Sequence, residues 1–327
     1  MGKNIKKIGV LTSGGDAPGM NACIRAVVRT GIFHGIEIVG IMKGYQGLID
    51  NEIIPLPSHA VSNIIQRGGT ILKTARCQEF RTPEGRQKAF DNLQRQGIDA
   101  LIVIGGDGTF SGAEVFSREF DIPVMGIPGT IDNDLFGTDF TIGFDTANNS
   151  VIQAIDQIRD TAASHNRLFF VEVMGRDAGV IALWAGVAGG SEAILIPEKE
   201  TAIDTLIEKL AHGAENQKSS SIVVVAEGEK SGGALKIAEE VKRRFDHYDT
   251  KVTVLGHLQR GGSPTCFDRV LASRMGYAAV KALMNNVRGK MIGMVRNKIQ
   301  FTELSLAISR HSPFDEELAE IATVLSI

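Results

Sequence analysis

The feature that most constrains the fold is a regular alternation of short apolar runs with helical patterns along nearly the whole chain. Apolar runs suited to buried parallel strands, alternating with segments of helical periodicity, are typical of α/β folds. The predicted strands are residues 8–12, 37–42, 100–104, 124–127, 168–174, 193–196, 221–226 and 252–255. The predicted helices are residues 20–34, 58–66, 84–96, 110–120, 145–164, 178–188, 203–214, 234–245 and 268–284. Ligands of such sheets bind at the carboxyl ends of the strands, where the glycine-rich and acidic loops of this chain fall.

One of these loops, residues 105–109 (Gly-Gly-Asp-Gly-Thr), follows a predicted strand and precedes a predicted helix. Its glycines allow backbone amides to approach a phosphate, and the start of the helix adds free amides and a partial positive charge. Asp107 suits this loop if Mg²⁺ lies between its carboxylate and the phosphates. An ordinary turn between a strand and a helix would need only one glycine. The loop therefore predicts a site for a magnesium-bound phosphate.

The segment after the next strand, residues 128–134 (Pro-Gly-Thr-Ile-Asp-Asn-Asp), carries a hydroxyl and two carboxylates at alternate positions. In extended chain, Thr130, Asp132 and Asp134 point to the same side, where they can meet a hydroxyl, a metal ion and a phosphoryl group. Taken alone, the segment is more typical of a turn rich in Asn and Asp. The acidic glycine loop just upstream favours the functional interpretation.

Composition limits the function classes. The 327 residues can form one large domain or two, and 43% hydrophobic with 22% charged residues is typical of a globular protein. A net charge of −3 gives no overall field for binding nucleic acid or an anionic membrane. The three cysteines are too far apart for a zinc site or a disulfide framework. Because no signal peptide or apolar segment of about 20 residues is visible, we expect a cytoplasmic protein.

Two further loops carry candidate phosphate ligands. Residues 13–19 (Ser-Gly-Gly-Asp-Ala-Pro-Gly) end the first predicted strand and open a helix, and residues 256–262 (Gly-His-Leu-Gln-Arg-Gly-Gly) combine a histidine and an arginine with glycines. The chain lacks the glycine–lysine–serine/threonine phosphate loop. It also lacks the dinucleotide fingerprint, because Ser111 stands where a third glycine is needed. Hydride transfer to a nicotinamide cofactor therefore has little support.

Taken together, residues 13–21, 67–76, 105–109, 128–134, 171–176 and 256–263 match in order the motifs of bacterial ATP-dependent 6-phosphofructokinases of type A, which the chain closely resembles. The glycine–aspartate loop alone also occurs in NAD kinases and diacylglycerol kinases, whereas residues 128–134 combined with 256–262 are highly specific. The resemblance implies two similar three-layer α/β/α domains with mostly parallel sheets and an active site in the cleft between them. It implies an ATP-binding domain of residues 1–143 plus 259–309 and a fructose 6-phosphate-binding domain of residues 144–258 plus 310–327.

The resemblance also implies an activity and its residues. This family uses Mg²⁺ to transfer the γ-phosphoryl group of ATP to the 1-hydroxyl of fructose 6-phosphate, the committed step of glycolysis. By motif position Asp132 is the general base, Thr130 lies beside the transferring group, Arg176 neutralises its charge, Asp134 supports the acidic site, and Asp107 binds Mg²⁺. The residues implied to line ATP are Gly15, Arg76, Cys77, Gly106, Asp107, Gly108 and Thr109. Those implied to hold the sugar phosphate are Thr130, Ile131, Asp132, Arg167, Met174, Gly175, Arg176, Glu227, Lys251, His257, Leu258, Gln259 and Arg260.

Assembly and regulation follow from the same resemblance. Arg167 and Lys251 are expected to reach the sugar phosphate of a neighbouring subunit, so a complete site needs the family's homotetramer. An effector site for ADP or phosphoenolpyruvate is implied at Arg25, Arg29, Arg159, Gly190, Ser191, Glu192, Lys218, Ser219 and Ser220. The i,i+4 spacing of Arg25 and Arg29 suits a shared anion, but a solvated basic helix face explains it equally well. Asn63 stands where some relatives place an acidic residue near this site, which leaves the strength of regulation open.

Three positions separate this chain from some relatives. Pyrophosphate-dependent relatives usually have aspartate where Gly108 stands and lysine where Gly129 stands, so ATP is the expected donor. Many relatives have arginine where this chain has Lys251, and lysine lacks the two-pronged grip of a guanidinium on phosphate. Alternatives to an ATP-dependent kinase are a pyrophosphate-dependent enzyme, a non-catalytic sensor of nucleotide or sugar phosphate, and a kinase of another acceptor such as NAD.

Overall fold

The computed structural model describes residues 5–162, 167–216 and 220–326, and these form two compact units. The first unit contains the described residues of Met1–Ile131, Leu135–Thr146 and Arg260–Ser312. The second contains those of Asp132–Asp134, Ala147–Gln259 and Pro313–Ile327. The assignment of ATP to one unit and of the sugar phosphate to the other stays a prediction.

The elements alternate along the chain as expected. The strands are β1 Lys7–Thr12, β2 Glu37–Ile41, β3 Ile53–Pro55, β4 Ala100–Gly105, β5 Val124–Pro128, β6 Arg167–Val173, β7 Ala193–Leu195, β8 Ser220–Ala226, β9 Asp249–Val254, β10 Lys290–Val295 and β11 Lys298–Glu303. The helices are α1 Met20–Phe33, α2 Tyr45–Ile49, α3 Pro83–Arg95, α4 Asp107–Phe120, α5 Phe144–Ala162, α6 Val180–Ala188, α7 Ile203–Glu215, α8 Gly233–Arg244, α9 Cys266–Met284, α10 Leu304–Ser309 and α11 Glu316–Leu325.

The first unit is built on a seven-stranded sheet of order β11-β10-β5-β4-β1-β2-β3. The five inner strands pair in parallel, and β3 and β11 add antiparallel edges. All six residues of β4 are buried, because the sheet is covered on both faces. Leu101 and Val103 pack with residues of α2, α3 and α4, and α1 packs along α9. Since side chains alternate along a strand, Ile102 and Ile104 point to the opposite face.

The second unit is built on a parallel four-stranded sheet of order β7-β8-β6-β9. Leu168 and Phe170 of β6 pack with Leu210 of α7 and Ile237 of α8 in a buried cluster. Helix α6 packs on β8 and β7 and is itself covered by α11. The fold class predicted from the sequence, two α/β domains with mostly parallel sheets, is confirmed.

One predicted helix is wrong and several elements were not predicted. Only Ser58–Val61 forms a short 3-10 turn within the predicted helix 58–66, because Ser62 is extended and Asn63 has a left-handed backbone with φ 54°. The edge strands β3 and β11, the strand β10, and the helices α2, α10 and α11 were not predicted. None of the helices formed by the described residues combines the length and apolar character needed to cross a membrane.

Candidate active site

Three glycine-containing loops meet at the carboxyl ends of three neighbouring inner strands of the first unit's sheet. Strand β4 lies between β1 and β5, with Thr12 opposite Ile104 and Gly105 opposite Pro128. The amide of Ser13 donates to the Ile104 carbonyl at 3.0 Å. The amide of Gly129 donates to the Gly105 carbonyl, also at 3.0 Å. The loops after β1, β4 and β5, which the sequence predicted as phosphate and catalytic segments, are therefore neighbours.

The loop after β4 has the geometry of an anion site. Gly106 precedes α4, and Asp107 is the exposed first residue of that helix, so the amides at the start of the helix face the loop. Within the described part of the chain, a Cβ added at Gly108 would meet no atom within 4 Å. Thr109 is buried, and its Oγ1 has no hydrogen-bond partner there. The Tyr45 hydroxyl donates to the Thr109 carbonyl at 2.5 Å and fixes the first turn of α4.

A magnesium ion fits this loop only together with a phosphate ligand. The described residues contain no group of three or more His, Cys, Asp or Glu side chains placed to hold a metal. Asp107 supplies one exposed carboxylate at the start of α4. Mg²⁺ in kinases is held by one or two carboxylates together with substrate phosphates rather than by an all-protein cage. The donor set therefore suits Mg²⁺ bound to a nucleotide.

The segment after β5 is buried and closely supported. Thr130 is 8% exposed and Asp132 is 2% exposed, so the predicted base lies away from bulk water. The Thr130 carbonyl accepts a hydrogen bond from Thr141 Oγ1 at 2.6 Å. The Pro128 carbonyl accepts one from the Ile142 amide at 2.9 Å. The chain after Asp132 turns through Asn133, whose φ of 52° is left-handed.

Two residues whose importance the sequence did not single out hold the loop that carries Arg76. Thr12 Oγ1 lies 2.9 Å from Thr70 Oγ1 and donates to the Lys73 carbonyl. Asn21 Nδ2 donates to the carbonyls of residues 67 and 68 at 3.1 Å, and its Oδ1 accepts from the amide of residue 71. Asn21 is a polar residue within the otherwise apolar face of α1, and that was the available signal.

The remaining predicted ATP residues occupy different environments in the first unit. Arg76 is exposed, whereas Cys77 packs at the edge of a core cluster, where burial raises the pKa of its thiol. Gly15 lies against the guanidinium of Arg260, whose Nη1 donates to the Asp16 carbonyl at 3.2 Å. Arg260, predicted as a sugar-phosphate residue, thus contacts the loop after β1.

In the second unit, the turn after β6 is fixed by two side chains predicted to bind the sugar phosphate. Glu227 Oε1 accepts from the amides of Gly175 at 3.2 Å and Arg176 at 2.7 Å. Gln259 Oε1 accepts from the Met174 amide at 2.9 Å. Arg176 has a left-handed backbone, with φ 54°, and an exposed side chain. These residues lie together in the second unit, where Glu227 and Gln259 shape the turn; their role in binding the sugar phosphate stays a prediction.

The predicted intersubunit residues form an ion-pair cluster within the second unit. Lys251 Nζ lies 2.9 Å from one carboxylate oxygen of Asp249, and Arg167 Nε lies 3.4 Å from the other. The two cations lower the pKa of Asp249, with the hydrogen bond from Lys251 as the main cause. His257 and Leu258 are exposed on a short 3-10 turn, Gly256–Arg260.

The predicted effector residues fall into a pair in the first unit and a group in the second. Burial and the neighbouring Arg29 lower the pKa of Arg25, as expected for two cations close together on α1. Arg159 Nη2 donates to the carbonyls of residues 189 and 190. The carboxylate of Glu192 accepts from the Ile222 amide, and Ser191 Oγ donates to the Gly186 carbonyl. Ser220 begins β8, while Lys218 and Ser219 lie outside the described residues.

Comparison with known proteins decides the family. The model of the family described as phosphofructokinase matches residues 7–283. The chain belongs to the phosphofructokinase family. It is 58% identical over 323 residues to ATP-dependent 6-phosphofructokinase 2 of Bacteroides thetaiotaomicron, covering 99% of each chain. It is 54% identical to ATP-dependent 6-phosphofructokinase 1 of Thermus thermophilus, covering 99% of this chain and all of the relative.

Solved structures of the same family share the fold. Pichia pastoris phosphofructokinase in the T-state superposes with a TM-score of 0.88 at 37% identity, covering 99% of this chain and 37% of the longer yeast chain. The pyrophosphate-dependent phosphofructokinase of Marinobacter aquaeolei superposes with a TM-score of 0.85 at 25% identity, covering 96% of this chain and 86% of that chain. Because an enzyme named for pyrophosphate shares the fold, the donor must be argued from individual residues of the site.

Proposed function

We propose that this chain is an ATP-dependent 6-phosphofructokinase, which phosphorylates the 1-hydroxyl of D-fructose 6-phosphate to give fructose 1,6-bisphosphate and ADP. The observation that carries the proposal is the hydrogen bond between Gly129 and Gly105. It places the glycine loop at the start of α4 beside the segment that leads to Asp132. The names of the bacterial relatives, which match over nearly their whole length, support the same activity.

The residues of the first unit suit binding of a nucleoside triphosphate. The glycines at 106 and 108 allow the phosphates to approach the backbone, and the amides at the start of α4 donate to them. Arg76 adds a cation on the neighbouring loop, and Asp107 holds Mg²⁺ together with the phosphates. When bound, Mg²⁺ neutralises charge on the phosphates of the donor.

Phosphoryl transfer has a loose transition state, so positioning and charge neutralisation do most of the work. Asp132 accepts the proton of the sugar 1-hydroxyl, and its burial keeps bulk water from competing for that position. Thr130 lies beside the transferring group, Asp134 supports the acidic site, and Arg176 neutralises charge on the phosphoryl oxygens. These roles follow the family's motif positions and the environments described above.

The second unit offers the groups for the sugar phosphate. Met174, Gly175 and Arg176 form a turn whose amides are fixed by Glu227 and Gln259, so their side chains and backbone are preorganised for the substrate. The proposed binding set also contains Ile131, His257, Leu258 and Arg260, with Arg167 and Lys251 acting on a neighbouring subunit of a homotetramer.

Two glycines favour ATP over pyrophosphate as the donor. The open space at Gly108 leaves room for the additional phosphate of a nucleotide. A Cβ added at Gly129 would lie 2.9 Å from Cγ2 of Ile104 and 3.2 Å from Cε of Met20. A lysine at position 129 would therefore require repacking of the buried core beneath the site.

Regulation and location form the finer part of the proposal. The cationic pair Arg25 and Arg29, together with Arg159 of a neighbouring subunit, binds ADP or phosphoenolpyruvate as an anionic effector. Burial, and to a smaller extent Arg29, lower the pKa of Arg25. A bound anion would relieve the part that comes from repulsion between the two guanidinium groups. The cytoplasmic location expected from the sequence stays a prediction.

A coupled assay with fructose 6-phosphate tests the proposal. We expect turnover with Mg²⁺ and ATP and little or none with pyrophosphate, and a response to ADP or phosphoenolpyruvate. Turnover with pyrophosphate alone would overturn the choice of donor. Absence of turnover with either donor, combined with tight binding of ATP or fructose 6-phosphate, would instead identify a non-catalytic sensor. Phosphorylation of NAD in place of the sugar phosphate would reassign the acceptor.

A further inference from the structure

Asp268 is a fully buried carboxylate in the first turn of α9 that no step of the proposed reaction uses. We propose that Asp268 is a positioning residue, which fixes residues 141–146 and through them the backbone of Thr130 in the geometry needed for phosphoryl transfer. This inference rests on the proposed function for its kinetic consequence, but its structural part stands on contacts within the first unit.

The carboxylate of Asp268 accepts hydrogen bonds from Gly143 and Thr146, which lie more than a hundred positions earlier in the sequence. Oδ1 accepts from the Gly143 amide at 2.9 Å. Oδ2 accepts from the Thr146 amide at 2.8 Å and from Thr146 Oγ1 at 2.5 Å. Thr265 adds a second tie, because its amide donates to Thr146 Oγ1 at 3.0 Å and its Oγ1 donates to Asp145 at 2.6 Å. The start of α9 therefore holds the start of α5.

The same short segment supports the candidate catalytic strand end. Thr141 donates to the Thr130 carbonyl, and Ile142 donates to the Pro128 carbonyl. Gly129 and Ile142 also form an isolated parallel bridge. A shift of residues 141–146 would therefore move the backbone hydrogen-bond partners of Pro128 and Thr130. Asp132 follows Thr130 by only two residues.

Close packing leaves this segment little freedom to compensate for a lost anchor. Gly143 has a left-handed φ of 103°, and a Cβ there would lie 2.7 Å from Cβ of Ala17. A Cβ added at Gly19 would lie 2.6 Å from Cγ2 of Ile142 and 3.6 Å from Cβ of Asp268. The loop after β1, residues 141–146 and α9 thus meet without room for a methyl group.

The contacts require a carboxylate and not merely a polar side chain. Both oxygens accept from donors, and two of these donors are backbone amides that cannot reverse their polarity. An asparagine would direct its NH₂ group at one of those amides and leave two buried donors facing each other. Burial raises the pKa of Asp268 to about 6, against the hydrogen bonds from Thr146 and Gly143, while Asp145 adds to the increase. The hydrogen bonds from Thr146 and Gly143 offset part of the cost of burying this carboxylate.

The test compares Asp268→Asn with Val270→Gly, a control on the same helix. Val270 is 52% exposed on α9, so its replacement by glycine lowers helix stability through propensity without touching the Asp268 contacts. We expect Asp268→Asn to lower kcat roughly 10- to 100-fold through misplacement of the reacting groups. The KM for ATP should change by less than about threefold, because the Tyr45 hydroxyl holds the start of α4 independently of residues 141–146. Val270→Gly should keep both parameters near the wild-type values at a matched loss of thermal stability.

Thr146 provides a second pair of variants in case Asp268→Asn does not fold. Thr146→Val keeps the shape and removes the hydroxyl, whereas Thr146→Ser keeps the hydroxyl. We expect the valine variant to lose kcat and the serine variant to recover most of it. Equal losses in both variants, or a loss in Val270→Gly as large as that in Asp268→Asn, would show a merely structural role and overturn the proposal.

Hydrogen exchange separates failure of this inference from failure of the proposed function. The amides of Ile142, Gly143 and Thr146 should exchange at least about tenfold faster in Asp268→Asn, or in Thr146→Val, than in Val270→Gly of equal thermal stability. If the wild-type chain shows no turnover with ATP and fructose 6-phosphate, the function is refuted and the exchange rates still decide the anchoring. Unchanged exchange rates would refute the anchoring even in an active enzyme.

Discussion

Gly108 provides the sharpest test of where the donor phosphates bind. It is the second residue of α4, and a Cβ added there has open space among the described residues. Replacement by aspartate should therefore not disturb packing. An aspartate has a better helix propensity than glycine, and a carboxylate in the first turn interacts favourably with the helix dipole. We expect the melting temperature of Gly108→Asp to be unchanged or slightly higher.

In contrast to its small effect on the melting temperature, Gly108→Asp should strongly lower kcat/KM for ATP. At about 5 Å from a phosphate and an effective dielectric constant of about 20, one carboxylate adds about 3 kcal/mol of repulsion. Mg²⁺ shared with the phosphates offsets part of this repulsion, so we expect kcat/KM for ATP to fall roughly 10- to 100-fold, about 1.4 to 2.8 kcal/mol. Steady-state assays with ATP and with pyrophosphate measure the change for each donor.

Neutral variants at the same position separate charge from size. Gly108→Ala adds one methyl group, and Gly108→Asn matches aspartate in shape without its charge. Both should retain most of the activity with ATP, with the alanine variant closest to the wild type. Unchanged kcat/KM for ATP in the aspartate variant would refute the placement of phosphates at this loop. A melting temperature lowered by several degrees would refute the open space at Gly108.

Three further predictions concern a base, an ion pair and a cation. Asp132→Ser should lower kcat roughly 10²- to 10⁴-fold in the coupled assay, the usual contribution of a general base, and near-normal turnover would reassign the base. Glu119→Gln should lower the free energy of unfolding by about 1 kcal/mol in urea titrations at pH 7, because it weakens the charge-assisted hydrogen bonds between the exposed Glu119 and the buried Arg86. The hydrogen bond from Arg86 holds the pKa of Glu119 below its usual value, so this contribution is present at neutral pH and lost as the pH falls through the folded-state pKa; a difference that grows in acid would contradict the assignment. Lys251→Arg should lower the KM for fructose 6-phosphate about fivefold, equivalent to about 1 kcal/mol from an additional charge-assisted hydrogen bond, and an unchanged KM would exclude position 251 from the phosphate clamp.

The buried centre of the fold was predictable from the sequence, and its edges were not. Strands β1 and β4 are covered on both faces, so each appears in the sequence as a continuous apolar run. Strand β11 consists of exposed and half-buried residues at the edge of the sheet, and they do not alternate regularly, so its pattern is weak. The sequence did contain one signal, Asn297, which lies in the two-residue turn between β10 and β11 where Arg296 and Asn297 both have positive φ. Asparagine in such a turn is typical of a hairpin.

The candidate site was predictable in its loops but not in the contacts that support them. Glycine and aspartate patterns at the strand ends identified residues 105–109 and 128–134, because their chemistry is local. The anchors Asn21 and Asp268 act on residues about 50 and more than 100 positions away. A single sequence does not show which residues so far apart along the chain contact each other. Similarly, the prediction of a helix at 58–66 was wrong because Asn63 has a left-handed backbone that interrupts it. Hydrophobic periodicity alone does not reveal such a backbone conformation.

The backbone of Arg176 has a consequence for engineering this chain. A non-glycine residue in the left-handed region costs about 1–2 kcal/mol relative to glycine, and Arg176 sits there with its amide bonded to Glu227. Selection for heat resistance alone would therefore favour glycine at position 176. Under the proposed mechanism, the same selection would discard the guanidinium that neutralises the transferring phosphoryl group. Libraries screened for thermal stability should therefore be screened for turnover as well, because the most heat-stable variants at position 176 would be the least active.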